Sequence, residues 1–222
     1  MNVLKIIPIV FLVLVPSVGG AITLVQTSDP GFYNDSLGTI LNNTNGGNTS
    51  TGYFPTSNDS NVSFPTAPDL STANSILGNW LTDSFNLNSN WSHESSIPNS
   101  WAINSEVAVI YQFDTLSATN VVASFGVDNG IYAWLDGRYL GGARRGGGVS
   151  LGEHVFNVGD LGAGTHFLQL LLEDHGTING YKVEISADSF TPAPVPVPSA
   201  VWLFASGIVG LIGRYRSKTN FL

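Results

Sequence analysis

Cysteine is absent from the 222 residues, and methionine occurs once. Without a thiol there is no disulfide framework, no Cys-ligated zinc, no iron–sulfur cluster and no thiol nucleophile. Charge is scarce as well: Asp, Glu, Lys and Arg make up 11% of the chain, against about 25% in an average globular protein. Bases are scarcest in the middle. Lys5 lies near the start and Arg214, Arg216 and Lys218 near the end, so Arg138, Arg144, Arg145 and Lys182 are the bases between Ile22 and Thr191. All sixteen acids fall in that same stretch. A central region so acidic excludes nucleic-acid binding, which needs a basic face to displace counterions.

Catalytic patterns are missing too. His93, His154, His166 and His175 have no HExxH-like spacing, and no Gly-x-Ser-x-Gly elbow is present to present a serine nucleophile. The glycine-rich run Gly141 to Gly148, with Arg144 and Arg145 inside it, lacks Gly-Lys-Ser/Thr and is no phosphate loop. It reads as a flexible loop carrying two solvated arginines, with contact to an anionic polysaccharide as a weaker option. No enzyme is indicated, although acids such as Glu173 and Asp136 leave a glycan-active pair as a third-ranked reading.

What fills the composition instead is Asn, Ser, Thr and Gly. Residues 1–21 combine Lys5, an apolar run from Ile6 to Val15, and small residues Gly19 and Ala21 before a cut site. That pattern predicts a secretory signal peptide, too short and wrongly flanked for a stable membrane helix. Residues 22–68 predict a polar, loosely ordered arm, parts of which pair as edge strands through Phe32, Tyr33, Tyr53 and Phe54. Little apolar surface is available there to offset ordering entropy.

From Asp69 the texture changes. Ser71 is positioned to cap a short helix over 71–77, and Trp80, Trp91 and Trp101 are predicted to pack against the domain. Strands are predicted at 106–113, 120–127, 131–135, 155–158, 165–172 and 181–185, with turns at Asp128-Asn129-Gly130 and Asp136-Gly137. No crossover helices separate them, so the sheet is antiparallel. The run Phe167 to Leu172 is too apolar for a strand with one wet face, which argues for two stacked layers. The prediction over residues 69–190 is an all-β, antiparallel sandwich of jelly-roll type.

Two groups in it are candidate sites. Tyr132 and Trp134 share one face of a strand and Ile131, Ala133 and Leu135 the other. If one face alone is covered, the two aromatics point outward as a platform for sugar rings; if both are covered, they are core. Asp128, Asn129, Asp136, Glu173 and Asp174 are hard oxygen donors for a weakly indicated Ca2+, although Asp-Asn-Gly and Asp-Gly are foremost hairpin chemistry.

The end of the chain carries more information. Residues 191–198 alternate proline and form an extended spacer. Residues 199–213, which include Trp202, Leu203, Phe204 and Gly207, hold no charge and predict a hydrophobic helix; 214–222 is a basic tail with Arg214 and Arg216. The span approaches the lower limit for a bilayer, with the basic end cytoplasmic. A Pro-x-Pro motif, then Ser199-Ala-Val-Trp-Leu-Phe-x-Ser-Gly207, then a basic end, resembles the PEP-CTERM sorting signal of exopolysaccharide-producing bacteria over residues 194–218. The resemblance implies an exosortase-type protease as partner, a transient inner-membrane stay and Pro196-Val197-Pro198 as the recognition tripeptide, with Val197 where the family has glutamate. An ordinary single-span anchor is the alternative; both put the β domain outside the inner membrane.

The β domain is similar to galactose-binding-like or PA14-like sandwiches through Phe125-Gly-Val-Asp-Asn-Gly-Ile-Tyr-Ala-Trp-Leu-Asp-Gly137, Gly159-Asp-Leu-Gly-Ala-Gly-Thr-His166 and Leu172-Glu-Asp-His-Gly176. That resemblance implies a sandwich fold and contact with extracellular polysaccharide. The expected protein is exported to the cell surface or matrix and non-catalytic, either a carbohydrate-binding or adhesive module or a ligand-free structural component.

Overall fold

The computed structural model describes residues 20–41, 62–145, 148–174 and 178–193. The predicted signal peptide, apart from Gly20 and Ala21, lies outside the described residues. So do His175, the tripeptide Pro196-Val197-Pro198, the hydrophobic segment with Trp202, Leu203, Phe204 and Gly207, and the tail with Arg214 and Arg216. Among the described residues no helix is long and apolar enough to cross a membrane.

Ten strands among the described residues form one sheet: β1 Ile22–Gln26, β2 Gly31–Gly38, β3 Val62–Phe64, β4 Ser92–Glu94, β5 Glu106–Leu135, β6 Arg138–Arg145, β7 His154–Leu161, β8 Gly164–Glu173, β9 Gly180–Ala187 and β10 Ser189–Pro192. The expected all-β, antiparallel fold is what the chain adopts, but as one sheet that curls on itself instead of two separate sheets. β5 makes the curl. Its residues 106–115 and 130–135 flank β8 on either side, while 118–128 pair with β9 and β7. One layer therefore runs β4, β2, β5 (106–115), β8, β5 (130–135), β6, β3; the other runs β1, β9, β5 (118–128), β7.

Side-chain alternation explains the packing. Val107, Val109 and Tyr111 of β5, Leu168, Leu170 and Leu172 of β8, and Ile131, Ala133 and Leu135 point between the layers. There they meet Ala123, Phe125, Val127, Val183 and Ile185. The alternate residues Ala108, Ile110, Leu171, Tyr132 and Trp134 face the other way, where a second apolar cluster waits. That cluster is supplied by residues 70–91, which include a single turn at Ser71–Ala73, the short helix α1 (Asn74–Leu77), and Trp80 and Trp91. β8 is apolar on both faces because both faces are covered.

Several expectations change on these grounds. Of the expected arm 22–68, residues 42–61, with Tyr53 and Phe54, lie outside the described residues. The described part 22–41 is no loose arm, since β2 is hydrogen-bonded beside β5, and Leu37 and Leu41 are buried. Asp128-Asn129-Gly130 is not a hairpin turn. Asp128 still pairs with Gly180 while Asn129 pairs with Arg145, so the strand passes from one layer to the other there, through a cis Asp128–Asn129 peptide. The run Gly141–Arg145 is strand, and Arg144 is buried instead of solvated. Ser71 does not cap the helix; the residue before it, Leu70, holds that position, and Asp69 accepts the Ser71 amide instead at 2.9 Å. Asp136-Gly137 is the expected two-residue turn, with positive φ at both residues (52° and 74°) and Leu135 paired to Arg138.

Candidate functional site

A cleft of about 770 Å³ opens where β9 begins. Its walls come from Gln26–Ser28 after β1, from 96–100, and from Val149 and Leu151; Asn179–Glu184 runs along it. Most of the polar lining is uncharged: Gln26, Ser28, Ser96, Asn99, Ser100 and Asn179, with Lys182 and Glu184 adding one charge of each sign.

The walls are tied down individually. Asn179 acts as a surrogate backbone: its Oδ1 accepts the Trp101 amide at 3.2 Å and its Nδ2 donates to the Trp101 carbonyl at 2.8 Å. Beside it, the Tyr181 amide donates to the Asn99 carbonyl at 3.3 Å. On the other wall, the Thr27 hydroxyl takes the Val183 amide at 2.9 Å and the Tyr111 hydroxyl donates to the Thr27 carbonyl at 2.9 Å. Tyr111 and Tyr181 share a hydroxyl–hydroxyl hydrogen bond beneath the cleft. Burial pushes both phenols well above their ordinary range, so they stay protonated and serve as braces.

The 148–151 wall depends on a glycine. A Cβ at Gly126 would sit 2.2 Å from the Ser150 carbonyl oxygen, so this close approach of two backbones is open to glycine alone. Glu153 and Asp128 then pin the wall. Glu153 accepts the Ser150 amide at 3.2 Å and the Val127 amide at 3.4 Å; Asp128 accepts the Gly148 amide at 3.2 Å.

Tyr132 and Trp134 are 0% and 2% exposed, so the open alternative closes on core. Both faces of their strand are covered, and neither ring offers a ligand platform. Trp134 meets Trp80 edge-on at 5.5 Å, and Tyr132 stacks on Phe64 at 5.3 Å. Trp80 is buried while Trp91 and Trp101 are half-buried; all three pack as expected, Trp91 stacking on Trp80 at 5.8 Å.

The oxygen donors suggested for Ca2+ do not assemble as a set. Asp128, Asn129, Glu173 and Asp174 are drawn to one end of the strands and are buried. Asp128 accepts from the Asn129 side chain at 2.7 Å, and Asp174 accepts the Asn104 amide at 2.8 Å. Asp136 lies at the opposite end, beyond Leu135. There its Oδ1 accepts the Phe167 amide and its Oδ2 faces His166 Nδ1, both at 2.8 Å. Among the described residues no group of three or more His, Cys, Asp or Glu could hold a metal ion. The other ring nitrogen of His166 faces the Gly162 carbonyl at 3.2 Å, so this carboxylate–histidine pair fastens two turns.

Sequence reasoning missed the cleft because its lining is spread over four chain segments of ordinary polar residues. It missed the burial of Glu106, which accepts the Leu41 amide at 3.0 Å, because a charged residue opening a strand reads as rim. The Asn-Gly pair at 179–180 was the available signal: a short amide side chain beside a glycine marks a bend that loops can be tied to.

The chain matches no protein-family model, and it matches no curated protein. Among solved structures, it has a weak likeness to the PA14 domain of the antifreeze protein MpAFP. That likeness covers 76% of this chain and 88% of that one, at 13% identity and a TM-score of 0.30. A PA14 sugar-binding domain from an RTX adhesin is similar over 75% of this chain and 99% of that one, at 14% identity and a TM-score of 0.30.

Proposed function

We propose that the chain is an exported, non-catalytic surface or matrix protein whose β domain holds extracellular carbohydrate in the cleft beside β9. The observation that carries this reading is the cleft's lining. Amides and hydroxyls on braced walls match a ligand that offers many hydroxyl groups and little charge. In this reading the cleft binds its ligand without chemistry. Export and sorting are part of the same reading, supported by the apolar start of the chain and by its Pro-rich, apolar, basic end. The tripeptide Pro196-Val197-Pro198 is then the mark for an exosortase-type protease.

Titration calorimetry against purified bacterial exopolysaccharide tests the binding role. Ser100 is exposed on the cleft wall, so Ser100→Trp fills the opening without entering the core. Wild-type binding reduced at least about tenfold in Ser100→Trp, a loss of roughly 1.4 kcal/mol, supports the cleft. Equal binding by both proteins, or none by either, sinks it. Turnover of the polysaccharide would show instead that the protein is an enzyme.

A further inference from the structure

We infer that the domain has a second carbohydrate subsite at the opposite end of β8, built on Phe85, which takes one neutral hexopyranose unit. This subsite stands independently of the cleft beside β9. A depression of about 230 Å³ lies there, lined by Thr82, Asp83, Phe85, Asp136, Thr165 and Phe167 among others. Its size suits one sugar ring and no more.

Phe85 is 68% exposed. A single exposed apolar side chain is ordinary on a protein surface, but this one is held in place. Its ring meets Phe167 edge-on at 4.8 Å with the planes at 90°, which fixes its attitude while leaving most of the ring open. The turn that carries it is closed by the Thr82 and Asp83 amides donating to the Asn79 carbonyl at 2.9 and 2.7 Å. Ser84 anchors it further, donating to the Trp80 carbonyl at 2.6 Å and accepting from Gln169 at 3.0 Å. A braced aromatic face loses little entropy when a ring stacks on it.

The polar groups around this face are acceptors. Asp83 accepts from the Asn86 side chain at 2.7 Å, which orients its carboxylate. Asp136 is oriented by the Phe167 amide and His166, as described above, and remains 42% exposed at the side chain. Each carboxylate oxygen has further lone pairs to offer. An aromatic face flanked by fixed acceptors fits a ligand with an apolar C–H face and hydroxyl donors at its edge, which describes a pyranose. An anionic sugar would be repelled by both carboxylates.

The depression takes its β8 lining from Thr165, Phe167 and Gln169, whereas the cleft is lined by chain beyond the end of that strand, from Asn179 onward. A domain with both could hold two chains of polysaccharide at once.

Saturation-transfer NMR on the full-length protein with the methyl glycosides of glucose, mannose and galactose tests the subsite. The expected result is transfer to the ring C–H protons of at least one glycoside, persisting in Ser100→Trp. Affinity should be about tenfold weaker in Phe85→Ala, the scale of one lost aromatic contact, and retained in Phe85→Tyr. Phe85 is 68% exposed and gives up one edge contact with Phe167 in the alanine variant, so melting curves of both variants check that the fold is kept. Transfer unchanged in Phe85→Ala, or no transfer to any glycoside, overturns the subsite. Transfer lost in Ser100→Trp alone also overturns it while leaving the cleft standing.

Discussion

His154 opens β7 with its ring half out of solvent and its Nε2 buried without a hydrogen-bond partner. Burial lowers its pKa first, and Arg145 lowers it further, while Glu153 opposes both. The folded state therefore binds a proton less readily than the unfolded chain does. Below the ordinary histidine value of about 6.5, the unfolded state takes up the proton first, so stability falls as pH drops through that value toward the depressed one. Urea midpoints measured from pH 7.5 down to 5 should decline in the wild type and decline less steeply in His154→Gln. Equal slopes in the two proteins would show that other groups set the acid response.

At the scale of the element, β5 explains both what the sequence disclosed and what it concealed. Its three stretches were legible because each alternates apolar and polar or doubly apolar residues with period two, and β8 declared itself by the run Phe167–Leu172, apolar but for Gln169. The Asp136-Gly137 turn was legible because two consecutive positive φ values demand such residues. The passage at Asp128-Asn129-Gly130 looked identical locally. What distinguishes it is the partner beyond: β9 on one side and β6 on the other, a tertiary fact that no dipeptide records. The position of Tyr132 and Trp134 was undecidable for the same reason, since period two sorts residues into faces without saying what covers each face. The cover comes from residues 70–91, whose helix is one turn long and whose tryptophans carry the contact. Trp134→Ala should therefore act on stability. Removing a buried indole packed against Trp80 and Tyr139 costs about 3–5 kcal/mol. A lower melting temperature with sugar affinity unchanged at temperatures where the variant is folded is expected. A normal melting temperature with affinity lost would restore that ring as a ligand platform.

For the whole molecule, the question is what the two ends are for. β1 is paired to β9 from Ile22 onward, and β10 reaches Pro192 while still paired to β5. Among the described residues the sheet runs from Ile22 to Pro192. A protein with net charge −8, whose sixteen acids all lie between those limits, remains strongly acidic once Lys5, Arg214, Arg216 and Lys218 are gone. Such a charge disfavours self-association. Under the proposed sorting, intact mass of the protein recovered from the medium should fall short of the full chain by both end segments, with the new C-terminus close to Pro198. Its melting temperature should match that of residues 22–193 produced alone, because every strand pairing among the described residues is common to both. A recovered mass that retains the basic tail would make the C-terminal segment a permanent anchor, and the exosortase reading would then be withdrawn while the carbohydrate cleft stood on its own test.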